Sequence, residues 1–285
     1  IPTNSATIDY YGGFRPGDNL YGASIIALNA STGERAWHFQ FVHHEIWNFD
    51  TPTAPVQLDL TVDGRNIPAV VQATKQGWLY TFNRVTGEPV WPIVERPVPP
   101  SIVPGEVLSP TQPHVTWPEP YSMQGISEDD LIDFTPELKA EAIVAMEDYV
   151  MGGLFNPPIH ANNADGKYAA MNCPGGAGGV NITSPPVADP VSNTLYVSQH
   201  TACFTLRLIP GEEADLLFPN STGSTTSQFA NGVPGATARP PRHPSGLPVW
   251  KPPYSTIVAY DMNTGEKKFT IPTGETPNRY KEALE

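Results

Sequence analysis

The stretch Ile26-Ala27-Leu28-Asn29-Ala30-Ser31-Thr32-Gly33-Glu34-Arg35-Ala36-Trp37 recurs in related form at residues 80–91 and at residues 258–269. Each copy starts with strand-type residues, continues through an Asn or Asp that favours a turn, and reaches a Gly that tolerates positive φ. Four positions after each Gly stands an aromatic residue: Trp37, Trp91 or Phe269. This pattern predicts a repeated β-hairpin whose aromatic residue packs against a neighbouring repeat.

Hairpins of this kind cannot bury both faces alone, so their repetition favours the blades of a β-propeller and an all-β fold. Thr135-Pro136-Glu137 is typical of a helix start, with Thr as N-cap and Pro at the first helical position. One inserted helix is therefore expected to continue over residues 138–150. The Pro-rich stretches 97–120 and 234–253 are expected to be surface loops, because Pro removes a donor from a strand ladder.

Composition excludes several classes of function. The formal net charge of −13 argues against a nucleic-acid partner, which would need a clustered positive surface. The sequence has no apolar run long enough to span a membrane, and its first residues do not resemble a signal peptide. Cys173 and Cys203 do not decide the cellular compartment by number alone.

The segment His43-His44-Glu45-Ile46-Trp47-Asn48-Phe49-Asp50 places two imidazoles, two carboxylates and an amide among apolar residues. Such groups are costly to bury unless they bind a ligand or hydrogen-bond one another. The segment is therefore a candidate redox or ligand site, although residue types alone do not specify which.

The repeat at 29–37 resembles the tryptophan-docking motif of the pyrroloquinoline quinone (PQQ) dehydrogenases, eight-bladed propellers that oxidise alcohols and sugars. Residues 15–21 look like the approach to the first of these blades. Residues 43–50 resemble the His-His-Asp-Leu-Trp-Asp-x-Asp stretch of the membrane glucose dehydrogenase branch. The resemblance spans nearly the whole chain. It implies that residues 1–285 form a partial eight-bladed β-propeller with about half the blades and an insertion over about residues 95–160.

The resemblance also implies roles for individual residues. Lys75 occupies the position of the cation that contacts the quinone oxygens of PQQ, where a positive charge polarises the carbonyl and stabilises an oxyanion. Asn181 and Trp47 are assigned to the same cofactor. The Gly-rich run 175–179 is expected to permit close backbone approach to a flat ligand.

Asn48 departs from the family, which usually has there the Asp proposed as general base. An amide cannot accept the substrate proton, so Glu45, Asp50 or one of the pair His43-His44 would have to serve. The resemblance gives Asn4 and Asn48 to a Ca²⁺ ion next to PQQ, because Ca²⁺ prefers oxygen ligands.

Cys173 and Cys203 stand where the family has a disulfide, which would imply an oxidising compartment, here the periplasm. The alternative is a pair of buried thiols. Trp117 and Trp250 lie in the Pro-rich stretches and either line a substrate funnel or pack beneath a loop.

The expected function is therefore oxidation of an alcohol or a glucose-type sugar by hydride transfer to PQQ, with Ca²⁺ as Lewis acid. Electrons would pass to a membrane quinone or a cytochrome. We expect an internal fragment whose remaining blades come from flanking sequence, with attachment to the inner membrane through a segment before Ile1. Two alternatives are a non-catalytic propeller scaffold, motivated by Asn48, and a PQQ enzyme that uses His44 or Glu45 as base.

Overall fold

The computed structural model describes residues 1–7, 9–180, 184–212, 229–231 and 241–284. Its strands, in chain order, are β1 (Ser24–Leu28), β2 (Arg35–Gln40), β3 (Val56–Val62), β4 (Arg65–Ala73), β5 (Leu79–Asn83), β6 (Ile93–Pro97), β7 (Thr111–Val115), β8 (Gly125–Ile126), β9 (Tyr149–Val150), β10 (Gly152–Gly153), β11 (Ile159–His160), β12 (Ala169–Asn172), β13 (Val187–Asp189), β14 (Thr194–His200), β15 (Phe204–Pro210), β16 (Phe229–Asn231), β17 (Ser255–Asp261) and β18 (Glu266–Pro272). Its helices include α1 (Pro136–Met146), α2 (Asn278–Glu282) and a 3-10 helix at Glu128–Asp130. Within the described ranges, no helix has the length and apolar character needed to cross a bilayer.

The predicted hairpin turn is present in all three copies of the repeat. Gly33, Gly87 and Gly265 have φ values of 75°, 78° and 76°, and each donates its N–H to the carbonyl oxygen of the Asn or Asp four residues earlier. The strands on either side of the first and third turns pair antiparallel, β1 with β2 and β17 with β18. After the second turn the pairing is reduced to a bridge between Phe82 and Pro89, flanked by hydrogen bonds from the N–H of Asn83 to Glu88 and from the N–H of Val90 to Thr81.

Three of the sheets stack face to face. The sheet β3-β4-β5 lies between the β1-β2 hairpin and the sheet β13-β14-β17-β18. A hydrophobic core lies on each face of the middle sheet, and alternate residues of its strands belong to one core or the other. Val70 and Phe82 face the hairpin, whereas Val71 and Leu79 face the four-stranded sheet. A further sheet has the order β11-β15-β12-β9, with β16 beside β15. The stacking of antiparallel sheets confirms the predicted partial propeller.

The aromatic residue of the first repeat packs on the turn of the second. A Cβ atom added to Gly87 would lie 2.7 Å from the ring of Trp37, and the indole N–H of Trp37 donates to the carbonyl oxygen of Arg84 at 3.1 Å. Trp117 makes the same contact with the third turn, where it covers Gly265 and donates to Thr264 at 2.7 Å. Trp117 is therefore a packing residue rather than part of a funnel.

Helix α1 starts as the sequence predicts, with the side chain of Thr135 accepting from the N–H of Leu138 at 3.2 Å. It ends at Met146 rather than at Val150, because Tyr149 and Val150 pair with Ala169 and Ala170 as strand β9. Sheet pairing overrides helix propensity in this segment.

Two further predictions about connections need correction. The Pro-rich stretch 97–120, expected to be a loop, contains β7. This strand pairs with β6 although its Pro113 has no N–H to donate. Helix α2 was not expected at all. Part of the second Pro-rich stretch, residues 234–240, lies outside the described residues.

The contact between Trp37 and Gly87 gives a matched test, because Gly33 has the same turn and the same φ but no atom within 4 Å of its added Cβ. We expect Gly33→Ala to cost about 1–2 kcal/mol of unfolding free energy from backbone strain alone. Gly87→Ala should cost about 1–3 kcal/mol more, because the new methyl displaces the indole. Denaturant unfolding measures both.

In a Trp37→Ala background the two glycine substitutions should become equally costly, since the group that distinguishes them is gone. Equal costs in the presence of Trp37 would show that the indole does not restrain the turn.

Candidate active site

The loop that follows β2 is folded around the carboxylate of Glu45. This side chain is fully buried, and its Oε1 atom accepts the backbone N–H groups of Trp47 at 2.6 Å and Phe49 at 2.8 Å. Asn48, between them, has a φ of 63°, a conformation that Asn and Asp adopt more readily than other side chains. Glu45 thus holds Asn48 in place.

Lys75 lies in the turn between β4 and β5 and reaches across to this loop. Its Nζ atom donates to Oδ1 of Asn48 at 2.7 Å and to the Asn48 carbonyl oxygen at 3.1 Å, and it forms an ion pair with Asp50. The lysine is only 5% exposed. A buried cation of this kind is held by its partners rather than by water, so three of the residues proposed for catalysis form one cluster.

A carboxylate that the sequence analysis did not single out completes the cluster. Oδ2 of Asp9 accepts from Nδ2 of Asn48 at 2.7 Å. Burial raises the pKa of Asp9, the charge of Asp50 raises it further, and the hydrogen bond from Asn48 together with the charge of Lys75 acts in the opposite direction. Asp9 belongs to the same N-terminal segment as Asn4, but no spacing rule indicated its role.

The Gly-rich run lies directly on the cluster. A Cβ added to Gly176 would meet the side chain of Asn48 at 2.9 Å, and one added to Gly179 would meet the carbonyl oxygen of Lys75 at 2.4 Å. The close backbone approach expected of these glycines is therefore toward Asn48 and Lys75. Asn181, which the resemblance assigned to PQQ, lies outside the described residues.

A disulfide between Cys173 and Cys203 anchors the start of the Gly-rich run, as the resemblance implied. Its closed loop spans a sequence separation of 30, which corresponds to roughly 3–4 kcal/mol in the chain-entropy model. Backbone hydrogen bonds from Gly175 to Ala202, and in both directions between Gly179 and His200, continue the attachment. The Gly-rich run is thus tied to β14 and β15.

The other proposed bases have partners of their own. His44 is buried, with Nδ1 at 2.6 Å from the carbonyl oxygen of Gly17 and Nε2 at 2.7 Å from the carboxylate of Glu106. Burial alone would raise the pKa of Glu106, but the hydrogen bonds from His44 and from the N–H of Gly12, together with the charges of His44 and Arg15, leave that pKa below its ordinary value. His43 contacts Gln40 and Glu95.

The side chain of Trp47 and the backbone of Asn4 make other contacts. Trp47 is fully buried, donates its indole N–H to the carbonyl oxygen of Asn156 at 2.9 Å, and packs against Phe49 and Phe155. Asn4 is exposed and joins the β1 region through its backbone carbonyl oxygen, which accepts from Ala23. Their assignments to PQQ and to Ca²⁺ stay predictions.

The cluster has the chemistry to receive a quinone cofactor and a hard cation. It offers a cation at Lys75 and oxygen donors at Asp9, Asn48 and Asp50, the donor type that Ca²⁺ prefers. Gln76, next in sequence to Lys75, is fully buried, and neither atom of its amide has a hydrogen-bond partner in the described part of the chain. The described residues contain no group of three His, Cys, Asp or Glu side chains placed for a metal, so the amide of Asn48 would have to contribute.

The stacked antiparallel sheets are those of a partial β-propeller. The model of the glucose/ethanol/alcohol dehydrogenase β-propeller domain of PQQ enzymes matches residues 1–285, and the chain belongs to this family.

Relatives with different substrates have similar sequences. A quinate/shikimate dehydrogenase (quinone) of Acinetobacter baylyi is 30% identical over 96% of this chain and 34% of the relative. A quinoprotein glucose dehydrogenase of Escherichia coli is 30% identical over 93% and 33%, respectively. The glycerol dehydrogenase large subunit of Gluconobacter oxydans is 28% identical over 94% and 37%. The chain thus spans about a third of the length of these relatives.

The contact between Gly176 and Asn48 can be tested with a single methyl group. Gly176→Ala should push Asn48 off Lys75 and lower the unfolding free energy by about 1–3 kcal/mol, because a closely packed site must shift to admit the new atom. Gly153→Ala is the control, since an added Cβ there has no atom within 4 Å and should leave stability nearly unchanged. Thermal unfolding of both variants measures the difference, and an unperturbed Gly176→Ala variant would contradict the packing described here.

Glu45 gives a prediction about pH. Burial is the largest cause of its raised pKa, and the hydrogen bonds from Phe49 and Trp47 only partly offset it. Since the folded pKa lies above the unfolded value of about 4.3, ionisation destabilises the fold as pH rises from about 4.3 through the folded pKa. Glu45→Gln, which keeps one acceptor oxygen, should therefore gain stability relative to the wild type over this rise.

Glu45→Ala is the control, because it leaves two buried N–H groups without an acceptor and should cost about 2–4 kcal/mol. The measurement is denaturant unfolding of the three proteins between pH 4 and pH 8. A stability difference between the wild type and Glu45→Gln that does not change with pH would refute the raised pKa.

Proposed function

We propose that the protein to which this chain belongs oxidises a CH–OH group of an alcohol, a sugar or an alicyclic hydroxy acid with PQQ as its cofactor. The observation that carries this proposal is the position of Lys75, whose buried ammonium group is held by Asn48 and Asp50 beside Asp9. The three substrate types are those named for the relatives.

When bound, PQQ would accept hydride at a quinone carbonyl. Lys75 would supply the positive charge next to that carbonyl oxygen, where a fixed cation in a site with little water is most effective. Asn48 and Asp50 would keep the ammonium group in one orientation, so that little reorganisation is needed during the reaction. The unpaired amide of Gln76 would offer a further donor and acceptor on the same turn.

The substrate proton would pass to a carboxylate next to Asn48 rather than to Asn48 itself. Asp9 accepts a hydrogen bond from this amide, Asp50 pairs with the Lys75 that the amide also contacts, and either carboxylate can accept a proton, which an amide cannot. Glu45 and His44 are less suited, because their side-chain hydrogen bonds go to groups other than Asn48 and Lys75. The carboxylate expected at position 48 would thus be replaced by a neighbour.

Asp9, Asn48 and Asp50 would also provide oxygen ligands for Ca²⁺, which would act as Lewis acid. We place the protein in the periplasm, since the buried disulfide needs an oxidising compartment to form. A membrane quinone or a cytochrome would be the electron acceptor. The carboxylates around Asn48 disfavour the alternative of a non-catalytic scaffold, which would have no use for a buried lysine between them.

Replacement of Lys75 tests the proposal. Lys75→Ala in the PQQ-loaded protein should lower kcat for dye-linked oxidation by about 10²–10³-fold, the cost of removing one electrostatic stabiliser of a developing oxyanion. Lys75→Arg, which keeps the charge, should retain more activity. Absorbance titration with PQQ would show whether the cofactor still binds.

Lys267→Ala is the matched control, because Lys267 forms a surface ion pair with Glu119 and a hydrogen bond to the carbonyl oxygen of Pro120 and should not affect the rate. Full activity in Lys75→Ala with PQQ bound would remove Lys75 from the mechanism. Absence of PQQ binding in the wild type would favour the scaffold.

A further inference from the structure

Residues 101–108, in the connection between β6 and β7, lie against the N-terminal part of the chain, and we call them the strap. A small apolar core anchors the strap, because Val103 packs in one cluster with Tyr11. The hydroxyl group of Tyr11 also donates to the carbonyl oxygen of Pro104 at 3.2 Å. The strap is therefore attached to the same segment that carries Asp9.

One carboxylate of the strap, Glu106, joins the two segments that meet at the Asp9–Asn48 hydrogen bond. Its Oε2 atom accepts the backbone N–H of Gly12, and its Oε1 atom lies 2.7 Å from Nε2 of His44. The side chain of Glu106 is almost completely buried. Asp9 precedes Gly12 by three positions, and Asn48 follows His44 by four. Glu106 thus closes a short loop of contacts that includes the Asp9–Asn48 pair.

The two segments are packed at this point without free space. A Cβ atom added to Gly12 would lie 2.3 Å from Nε2 of His44. The other ring nitrogen of His44, Nδ1, lies 2.6 Å from the carbonyl oxygen of Gly17. Arg15 provides a second connection by donating to the carbonyl oxygen of Glu45 at 2.6 Å. A displacement of Gly12 would therefore be transmitted to His44.

The backbone of both segments is held in an unfavourable conformation. Tyr10, His44 and Asn48 have φ values of 73°, 46° and 63°. Residues other than glycine disfavour this region by about 1–2 kcal/mol each, and they stay in it only where the surrounding contacts fix them, typically at functional sites. Glu106 is placed to supply that restraint, because it binds His44 directly and the N–H two residues after Tyr10.

From these contacts we infer that Glu106 is a positioning residue, which holds the carboxylate of Asp9 against the amide of Asn48. This inference rests on the proposed function, in which Asp9 is one of the two carboxylates that can accept the substrate proton. The hydrogen bonds of Glu106 go to groups outside the cluster, so it acts through the backbone and not on the substrate. Misplacement of a reacting group by about 1 Å can slow a reaction about 10²-fold.

The test compares two glutamates that pair with neighbouring histidines in the full-length, PQQ-loaded protein. Glu106→Ala should lower kcat per bound PQQ about 10²-fold. Glu106→Gln should retain most of the rate, because it keeps an acceptor for the N–H of Gly12 and a polar group next to His44. Glu95→Ala is the matched control, since Glu95 pairs with His43 at 3.0 Å but its side chain is 49% exposed, and it should leave kcat unchanged.

An isotope effect separates misplacement from a loss of folded sites. The probe is whichever of glucose, glycerol and quinate, the substrates named for the relatives, the wild type oxidises fastest, with deuterium at the reacting carbon. Product release often limits kcat and hides the isotope effect of the chemical step. Because misplacement slows the chemical step itself, Glu106→Ala should show a larger isotope effect on kcat than the wild type.

Unfolding of the cofactor-free protein gives a readout that does not depend on activity. If Glu106 restrains the segment of Asn48, then Glu106→Ala and Asn48→Ala should together destabilise the protein less than the sum of their separate effects in denaturant. Glu95→Ala and Asn48→Ala should be additive. Should Glu106→Ala fail to fold, Glu106→Asp replaces it in every comparison, because its carboxylate is one methylene group shorter and cannot reach both segments.

The two possible failures can be told apart. A wild type that oxidises none of the three substrates with PQQ bound would refute the proposed function. If the wild type is active, an unchanged kcat per bound PQQ in Glu106→Ala, a lower kcat with the isotope effect of the wild type, or additive unfolding with Asn48→Ala would each overturn the positioning role.

Discussion

The structure depends on one constraint: each sheet has two faces to bury, and only stacking against other sheets can cover both. The middle sheet, β3-β4-β5, satisfies it with alternate residues of the same strands, Val70 and Phe82 on one face and Val71 and Leu79 on the other. Because the sheets are stacked, loops from separate segments meet at one place. Asn48 comes after β2, Lys75 after β4 and the Gly-rich run after β12, and their contact is a product of the stacking.

Within the cluster, the negative charges stand at other positions than the one that the family pattern suggests, which is position 48. Position 48 carries an amide, and the carboxylates stand at Asp9, which contacts that amide, and at Asp50, which pairs with Lys75. The amide can donate to one neighbour while its oxygen accepts from Lys75, which a carboxylate could not do. Asn48 therefore links the carboxylate of Asp9 to the ammonium group of Lys75. Its positive φ is stabilised by Glu45 from within the same loop.

Local patterns predicted the turns well and the long-range contacts poorly. The positive φ of Gly33, Gly87 and Gly265 follows from an Asn or Asp four residues before a Gly, and the start of α1 follows from Thr135 and Pro136. By contrast, nothing within residues 1–9 indicates that Asp9 meets Asn48, because that contact depends on the path of the intervening strands. The predicted end of α1 was wrong for a related reason. Tyr149 and Val150 lie beyond the helix and pair with a strand whose position the local sequence does not encode. The disulfide, and the role proposed for Lys75, were inferred only through resemblance to a family.

The packing of an aromatic ring on a hairpin glycine gives the stack a direction. Trp37 points from the first repeat to Gly87 of the second, so this contact joins the ring of one repeat to the turn of the next. In this chain the turn of Gly33 has no atom within 4 Å of an added Cβ, while Phe269 of the last repeat is 42% exposed. The ring and the turn that meet belong to different repeats, so the contact is heterologous, and repeats joined in this way follow one another in a single direction.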